Sequence, residues 1–236
     1  MTSEENKWAF GQLVITLKAP NPEEVISYLE KHPNQLPDIF VKEEMKRATS
    51  QIEGTYSSVV MEHLKKNHDV ELKVPEEMVY FKDTTDFFWA TNNANTGRMD
   101  VVVYSFPYTD ANTFTADYLV AKRDSVMKNN LPGSFPNSYM ATETKYFDVE
   151  YKALRVQNKY CGELRGLWKM VGDMMGGPFV SHARLDEKNQ RVVVAEGFVY
   201  APETSKRNFI RRIESALYTL RLPGEFEQAE AKTNKE

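Results

Sequence analysis

The chain has 236 residues, of which 41% are hydrophobic and 27% charged, so it has the composition of a folded protein with one large domain or two small ones. Its 30 basic and 34 acidic residues leave a net charge of −4, which is too small to direct binding to nucleic acid by charge alone. Cys161 is the single cysteine, which excludes an intrachain disulfide and a multi-cysteine metal site.

Membrane insertion and export are not indicated. The longest apolar stretches, such as residues 101–104, are far shorter than the roughly 18 residues that a membrane-spanning helix needs. Residues 1–7 also lack the basic, apolar and small-residue sections of a signal peptide. We therefore expect a soluble chain that carries no export signal of its own.

The N-terminal part predicts a strand followed by a helix. Apolar side chains alternate with other side chains over residues 10–17, which is the period of two typical of a strand. Pro22, followed by Glu23 and Glu24, predicts a helix start, because proline suits the first helical position and acids are stabilised by the helix dipole there.

One long amphipathic helix is predicted next, near residues 38–66. Apolar residues recur there mainly at every third or fourth position. Such a helix would be about 40 Å long, so it either spans the whole domain or breaks near Gly54. We expect a bend at that glycine.

The remainder of the chain predicts hairpins and two further helices. The β-prone segments are residues 70–74, 78–81, 87–90, 99–106, 146–156, 159–170, 179–185 and 192–200. Helices are expected from Thr113 to about Lys128 and from Pro202 to near Leu222. The predicted fold class is α+β, a largely antiparallel sheet of hairpins with helices packed on it, in one domain over residues 8–223. Residues 225–236 have almost no apolar side chains and predict a disordered tail.

Two segments of the chain echo each other. Phe106-Pro107-Tyr108 and Phe198-Val199-Tyr200 each follow a predicted hairpin and precede a predicted helix. One interpretation is an internal duplication of a hairpin-plus-helix unit, with pseudo-repeat halves at residues 77–130 and 145–222. Independent convergence of two amphipathic units explains the echo equally well.

The loop of residues 172–178 is unusual, because Met174 and Met175 lie among glycines where polar residues are common. Adaptable methionine side chains suit a binding surface. The alternative is that both methionines fold back onto the edge of the core and the glycines only shape the turn. The glycine pattern of a phosphate-binding loop is absent.

A polar stripe is predicted on one face of the strand that begins near residue 160, with Trp168 on the other face. The stripe consists of Cys161, Glu163, Arg165 and Lys169. If the following hairpin pairs with this strand, it adds His182, Arg184 and Glu196 to the same face. These groups could bind an anionic or polar ligand, or they could be charge pairs on a solvated sheet. A Cys161 and His182 pair would be a nucleophile and base, whereas a buried thiol is the alternative.

The hairpin loop after Trp89 contains Asn92, Asn93 and Arg98. Its amides and the neighbouring indole could bind a sugar or a peptide, although hairpin loops also select asparagine and glycine for their positive φ. The four histidines are scattered, and no His-Glu-x-x-His or Cys-x-x-Cys spacing is present. We therefore expect neither a metal nor another cofactor.

Several motifs of the chain are shared with a bacterial family. They are Phe88-Trp89-Ala90-Thr91-Asn92-Asn93, Thr96-Gly97-Arg98, Tyr108-Thr109-Asp110-Ala111-Asn112-Thr113-Phe114-Thr115, Ala121-Lys122-Arg123-Asp124-Ser125-Val126-Met127-Lys128, Arg165-Gly166-Leu167-Trp168-Lys169-Met170, Met175-Gly176-Gly177-Pro178-Phe179-Val180-Ser181-His182 and Glu196-Gly197-Phe198-Val199-Tyr200-Ala201-Pro202-Glu203-Thr204. Over nearly all of residues 8–223 the chain resembles the bacterial proteins catalogued as domain of unknown function 4837. That family has no established reaction, ligand or catalytic residues, so the resemblance implies no activity.

The resemblance does imply a location. Members of the family are typically lipoproteins of the cell envelope, with a lipoprotein signal and a further N-terminal portion. Because this chain lacks both, we expect either a trimmed envelope protein that is lipid-anchored in its full-length form or a shorter member of the family.

Three functional hypotheses follow. The first is a non-enzymatic binding or scaffold domain that recognises an unknown protein or envelope ligand through the methionine loop and the asparagine-rich hairpin. The alternative is a hydrolase, with His182 as base, Glu163 or Glu196 as acid or orienting group, and arginines that bind an anion. The third is a structural domain that packs against an N-terminal portion, which an apolar patch around residues 10–17 would favour. The candidate binding residues are Trp89, Asn92, Asn93, Arg98, Arg165, Trp168, Met174, Met175, His182 and Arg184.

Overall fold

The computed structural model describes residues 1–226, and it divides the chain into two compact units, Met1–Gln51 and Ile52–Glu236. The sequence predicted a single domain over residues 8–223. The boundary between the two units gives no linker signal in the sequence, because it lies inside a helix. Most of the predicted tail, residues 227–236, lies outside the described residues. Glu225 and Phe226 are described and are helical.

The first unit contains a hairpin and two helices. Strands β1 (Thr2–Glu5) and β2 (Leu13–Thr16) pair antiparallel, and helices α1 (Pro22–Lys31) and α2 (Gln35–Gly54) follow. The predicted start of α1 at Pro22 is confirmed, and the Asn21 side chain caps it by accepting the Glu24 N–H at 2.9 Å. No residue from 1 to 51 is fully buried, and the unit therefore has no closed core of its own.

The second unit contains three helices, a 3-10 turn and eight strands in the described part of the chain. Its helices are α3 (Ser58–His68), α4 (Ala116–Asn130) and α5 (Arg207–Leu217), with the 3-10 turn at Ala111–Phe114. Its strands are β3 (Tyr80–Thr84), β4 (Phe87–Thr91), β5 (Arg98–Pro107), β6 (Tyr139–Glu143), β7 (Glu150–Val156), β8 (Lys159–Val171), β9 (Gly176–Asp186) and β10 (Arg191–Tyr200). Within residues 1–226, no helix combines the length and the hydropathy that crossing a bilayer requires.

The single long helix predicted near residues 38–66 is two helices. Helix α2 ends at Gly54 and α3 begins at Ser58, so the expected bend is a complete break. Glycine has a low helix propensity, and the backbone of Ser57 leaves the helical path at φ −70° and ψ 102°. The Ser57 N–H donates to the Val74 carbonyl at 3.0 Å instead of continuing a helix.

The eight strands form one curled antiparallel sheet, which confirms the predicted α+β class. The strand order is β3-β4-β5-β10-β9-β8-β6, and β7 also pairs with β8. Helices α3 and α5 cover one side, here called the α5 face, and α4 covers the other, here called the α4 face. Because both sides of the central strands are covered, β5 and β10 read as nearly continuous apolar runs in the sequence.

The two hairpin-plus-helix units differ in hand. Strands β5 and β10 are antiparallel neighbours. A two-fold axis that exchanges them, and with them the β4–β5 and β9–β10 hairpins, must be perpendicular to the sheet. Such an axis would put the two helices that follow these hairpins on the same face. Helix α4 instead packs on the face opposite to α5. The structure therefore does not repeat one unit as a copy of the other.

Candidate functional site

One end of the sheet collects several loops that are far apart in the sequence. Strands β4, β8 and β10 end there, while β5, β6 and β9 begin there, because neighbouring strands run antiparallel. We call this region the loop end. It comprises the loops of residues 92–97, 131–138 and 172–175 together with the half-buried side chains beneath them.

The β8–β9 loop separates the two methionines that the sequence singled out. Met175 packs against the core of the α4 face, whereas Met174 is fully exposed. The turn is closed by the Met170 N–H, which donates to the Met175 carbonyl at 2.8 Å, and by the positive φ of +80° at Gly172. The Met174 N–H also donates to the Asp173 carboxylate at 2.6 Å. Met174 is thus held outward by an ordered turn.

A second exposed apolar side chain lies on the neighbouring loop. Phe135 is 59% exposed, and its carbonyl accepts the Ser138 hydroxyl at 2.6 Å. Ser138 is also the residue nearest to Gly172, since a Cβ built on that glycine would lie 3.4 Å from the Ser138 Cβ. Sequence analysis missed Phe135, although a phenylalanine between turn residues was the available signal.

Beneath these loops, a buried carboxylate organises three half-buried side chains. Asp100 accepts hydrogen bonds from the Trp89 indole at 3.0 Å and from the Arg98 Nε at 3.0 Å. The Arg98 guanidinium also lies over the Tyr200 ring, 5.7 Å from its centroid. Burial raises the pKa of Asp100 even though Arg98 opposes the shift. The sequence signal for Asp100 was an acid at the start of a buried apolar run.

Other candidates at this end have structural partners. Trp168 is buried, and its indole N–H donates to the Val199 carbonyl at 3.2 Å. The Asn92 side-chain oxygen accepts the Met99 N–H at 3.0 Å, so this amide shapes the hairpin. Asn93 adopts a left-handed φ of 48°, a conformation that asparagine tolerates better than most residues, and its side chain is exposed.

The polar stripe lies on the α5 face, where it forms an internal network. Glu163 and His182 are cross-strand neighbours, and the His182 Nε2 is 3.1 Å from the Glu163 Oε2. The Arg165 Nε donates to the Glu163 Oε1 at 2.7 Å, and its Nη1 donates to Glu214 of α5 at 3.0 Å. The His182 and Tyr218 rings are perpendicular, with 5.0 Å between their centroids, so Tyr218 also packs against the network.

The electrostatics of this network favour a structural role. Burial opposes ionisation of Glu163, but the hydrogen bonds from His182 and Arg165 outweigh it and lower the pKa of the carboxyl to about 2. Burial raises the pKa of the Cys161 thiol to about 12. His182 is completely buried, and its Nδ1 has no hydrogen-bond partner among residues 1–226. The His182 and Glu163 side chains are thus closed off from solvent, whereas the Arg165 side chain is about one third exposed.

Two members of the predicted polar face have other surroundings. Glu196 lies on the α4 face, because the strand partner of His182 is Ala195 and successive side chains alternate between faces. The expectation that it joins His182 is therefore wrong. Arg184 is buried on the α5 face, where its guanidinium donates to the Leu220 carbonyl at 2.8 Å and pairs with Glu225.

A histidine-containing cluster joins α3 to the edge strand β3. The Asp83 carboxylate lies 2.7 Å from the His68 Nε2 and 3.3 Å from the His63 Nδ1, and it accepts the Asn67 amide at 2.6 Å. Burial opposes ionisation of Asp83, but these hydrogen bonds outweigh it and lower the pKa of the carboxyl. Within the described residues, no group of three or more histidine, cysteine, aspartate or glutamate side chains could hold a metal ion.

Comparison with known families assigns both parts of the chain. A family model described as a domain of unknown function, number 4837, matches residues 57–219. The chain belongs to this family. The match starts later than the predicted resemblance, because residues 1–53 match a different model, domain of unknown function 8532. A search of curated proteins found no match.

The 4837 domain contains the whole second-unit architecture that has been described, from α3 to α5. The loop end, the Asp100 cluster and the Glu163–His182 network all lie within residues 57–219. The boundary between the two family matches falls close to the break between α2 and α3. The family descriptions name no activity.

Proposed function

We propose that the 4837 domain is a non-enzymatic binding module whose partner docks on the loop end. The observation that carries this proposal is the fully exposed Met174 side chain on an ordered turn. Isolated exposed apolar residues are common, but this one has the 59% exposed Phe135 on the adjacent loop. Two large apolar side chains exposed on loops at the same end of the sheet suit a contact with another protein.

The shape of the loop end supports recognition without large rearrangement. Backbone hydrogen bonds close the methionine turn, and the Asn92 side chain fixes the neighbouring hairpin. Binding to such a surface orders few additional groups, which lowers the entropic cost of association. Methionine also adapts its shape to a partner surface. The half-buried Arg98, Trp89 and Tyr200 supply the polar and aromatic types that are enriched at interfaces.

The hydrolase alternative has less support. Its base and acid, His182 and Glu163, are within hydrogen-bonding distance, as that mechanism requires. Both side chains are buried, however, and the second acid, Glu196, lies on the other face of the sheet. The nucleophile considered with His182, the Cys161 thiol, is held protonated by its raised pKa.

Capture experiments with matched variants test the proposed surface. The purified chain is immobilised, extract of the source organism is passed over it, and the retained proteins are quantified for Met174→Asp and Phe135→Ser. We expect either substitution to reduce the principal captured protein by about tenfold or more, since loss of an interface anchor typically costs over 1.4 kcal/mol. Circular dichroism checks that each variant is folded.

The matched control is Phe147→Ser. Phe147 is 58% exposed, almost the same as Phe135, but it lies in the β6–β7 connection away from the loop end. Capture should be unchanged in this variant. Two results would reject the loop end as the docking surface. One is equal capture by the wild type, Met174→Asp, Phe135→Ser and Phe147→Ser, and the other is an equal loss of capture in all three variants.

A second candidate function is supported by the first unit. Trp8 and Phe10 are both exposed, and the unit has no fully buried residue, as expected of a segment that packs against another part of a larger assembly. We propose that this unit is a docking segment for such an assembly at the cell envelope. A Phe10→Ser variant that remains in the same cell fraction as the wild type would count against it.

A further inference from the structure

A concave surface lies at the end of the sheet opposite the loop end, on the α4 face. It is a cleft of about 300 Å³, which is at the lower limit of the usual size of ligand pockets. Its lining residues are Tyr108, Ala111, Phe114, Lys159, Tyr160, Leu185 and Glu187. We call it the aromatic cleft.

Three aromatic rings from separate elements form its walls. Phe114 of the 3-10 turn lies 6.1 Å from Tyr108 and 5.3 Å from Tyr160, measured between ring centroids. The first pair is tilted by 49° and the second is perpendicular at 87°. The rings therefore present faces and edges toward the cleft instead of stacking on one another and closing it.

The rings pack directly on a glycine of the strand beneath them, where any side chain would displace them. A Cβ built on Gly162 would lie 3.2 Å from the Tyr151 ring and 3.5 Å from the Phe114 ring. The Tyr151 and Tyr160 hydroxyls hydrogen-bond to each other. Only one of the two hydroxyls donates within that pair. When Tyr151 is the donor, the hydroxyl hydrogen of Tyr160, which lines the cleft, can be donated to an occupant.

The rim of the aromatic cleft is electrically balanced. Lys159 and Glu187 form an ion pair at 3.7 Å across exposed side chains, and they are the charged residues among those of residues 1–226 that line the cleft. A charged occupant would gain little attraction there, since each rim charge is already accompanied by its opposite and is well solvated. The lining therefore favours a neutral occupant.

The balance of polar and apolar groups selects between two neutral occupants. A sugar ring carries several hydroxyls, and each one buried without a partner costs free energy. Leu185, Ala111 and Phe114 offer none, so the partners are limited to the tyrosine hydroxyls and the ion pair at the rim. A proline ring carries no donor, and the carbonyl beside it needs one hydrogen, which a tyrosine hydroxyl can give.

We propose that the aromatic cleft binds a neutral, proline-containing peptide segment in the polyproline II conformation. Aromatic-lined grooves recognise such segments because the extended helix is preformed and loses little entropy on binding. In this arrangement proline rings pack on the open surfaces of the Phe114, Tyr108 and Tyr160 rings, and the Tyr160 hydroxyl, which accepts from Tyr151, donates to a peptide carbonyl. This site is separate from the loop end and does not depend on the function proposed for it.

Calorimetric titration of the whole chain with an acetylated, amidated hexaproline peptide tests the proposal. We expect saturable binding, and a loss of affinity of about tenfold or more in Tyr160→Ala, because aromatic anchors dominate such contacts. A Phe114→Leu variant, which keeps an apolar side chain in the core, should also weaken binding. The matched control is Tyr146→Ala, since Tyr146 is exposed but lies outside the cleft.

Each other outcome would overturn a stated part of the proposal. No binding of hexaproline at millimolar concentration rejects the ligand class, and equal binding of a glycine–serine peptide of the same length rejects recognition of the polyproline II shape. Binding of chitotriose that Tyr160→Ala abolishes, with none of hexaproline, would make the cleft a sugar site. Hexaproline binding that survives both cleft variants rejects the location. Met174→Asp should leave the affinity unchanged, which separates this test from that of the loop end.

Discussion

The buried ion pair between Arg123 and Glu196 tests the packing of α4 on the sheet. Arg123 reaches from α4 to β10, and both side chains are completely buried. Its Nε and Nη2 donate to the Glu196 carboxylate at 2.9 and 2.7 Å, and its Nη1 donates to the Thr142 hydroxyl at 2.9 Å. The guanidinium also lies 3.9 Å from the centroid of the Phe179 ring. The perturbation is Glu196→Gln, which keeps the shape of the side chain and removes its charge.

The expected cost follows from the burial of both partners. Removing one member of a buried pair typically costs about 3–5 kcal/mol, because the other charge loses its partner in a low-dielectric interior. The Asp124 carboxylate, 3.6 Å from the Arg123 Nη1, remains in Glu196→Gln, so we expect a cost of about 3 kcal/mol, at the lower end of that range. That is a large part of a total stability of roughly 5–15 kcal/mol. Replacing both partners, as Arg123→Met with Glu196→Leu, removes the desolvation penalty as well. The double variant should therefore be much more stable than the single one.

Urea unfolding followed by circular dichroism measures these differences. The control is Glu77→Gln, which breaks the ion pair between Arg212 and Glu77 on the surface. Both of those side chains are partly exposed, so the control should cost less than about 1 kcal/mol. A Glu196→Gln cost as small as the control, or a double variant no more stable than the single one, would refute the reasoning.

The remaining predictions concern pH, backbone crowding and thiol reactivity. Because the pKa of Glu163 is lowered from 4.5 to about 2, its stabilising contribution is complete above about pH 4.5 and is lost as the pH falls toward 2. In that interval, the free energy of unfolding of Glu163→Gln should depend less on pH than that of the wild type. Identical acid titration curves would contradict this prediction. Gly177→Ala should lower the thermal midpoint, since its Cβ would lie 2.0 Å from the Val199 carbonyl oxygen, with an expected cost of about 1–3 kcal/mol. Gly54→Ala, which meets no atom within 4 Å, should lower the midpoint much less, and equal losses would exclude crowding as the cause. Cys161 should react with a thiol reagent far more slowly in the native protein than in urea, because burial raises its pKa to about 12; equal rates would show that the thiol is accessible.

Local signals in the sequence located several elements well. The proline and acids at residues 22–24 marked the start of α1, where the cap and the dipole act within one turn. The β-prone runs marked β4, β5 and β10, which pair as a hairpin and its neighbour. These predictions succeeded because propensity, capping and turn chemistry depend on residues that are close in the chain.

Other elements depend on partners that are distant in the chain. Strand β6 was not predicted, since five residues with mixed polarity become a strand only by pairing with β8. The helix predicted from Pro202 to near Leu222 is shorter, since α5 covers Arg207–Leu217. At its C-terminal side, Arg221 leaves the helical path and forms a bridge with Glu71. Tertiary pairing overrides weak local preference in both cases.

Face assignment explains the uneven result for the polar groups. The alternation along β8 correctly placed Glu163 and Arg165 on one face, and pairing with β9 added His182. Glu196 was misplaced because the register between β9 and β10 decides its face, and a shift of one residue reverses every side chain. The sequence did contain a signal for its partner, since Arg123 occupies the buried stripe between Leu119 and Met127 of α4.

By itself, the sequence determined the α+β class, the main hairpins, the family of the second unit and the unusual character of the methionine loop. Periodicity, turn residues and motifs carry that information locally. Only the tertiary structure decided that Met174 is exposed while Met175 is partly buried, that Phe135 and the Asp100 cluster share the loop end, and that His182 is inaccessible. Those outcomes depend on strand register and helix packing, which arise from contacts between residues tens to more than a hundred positions apart.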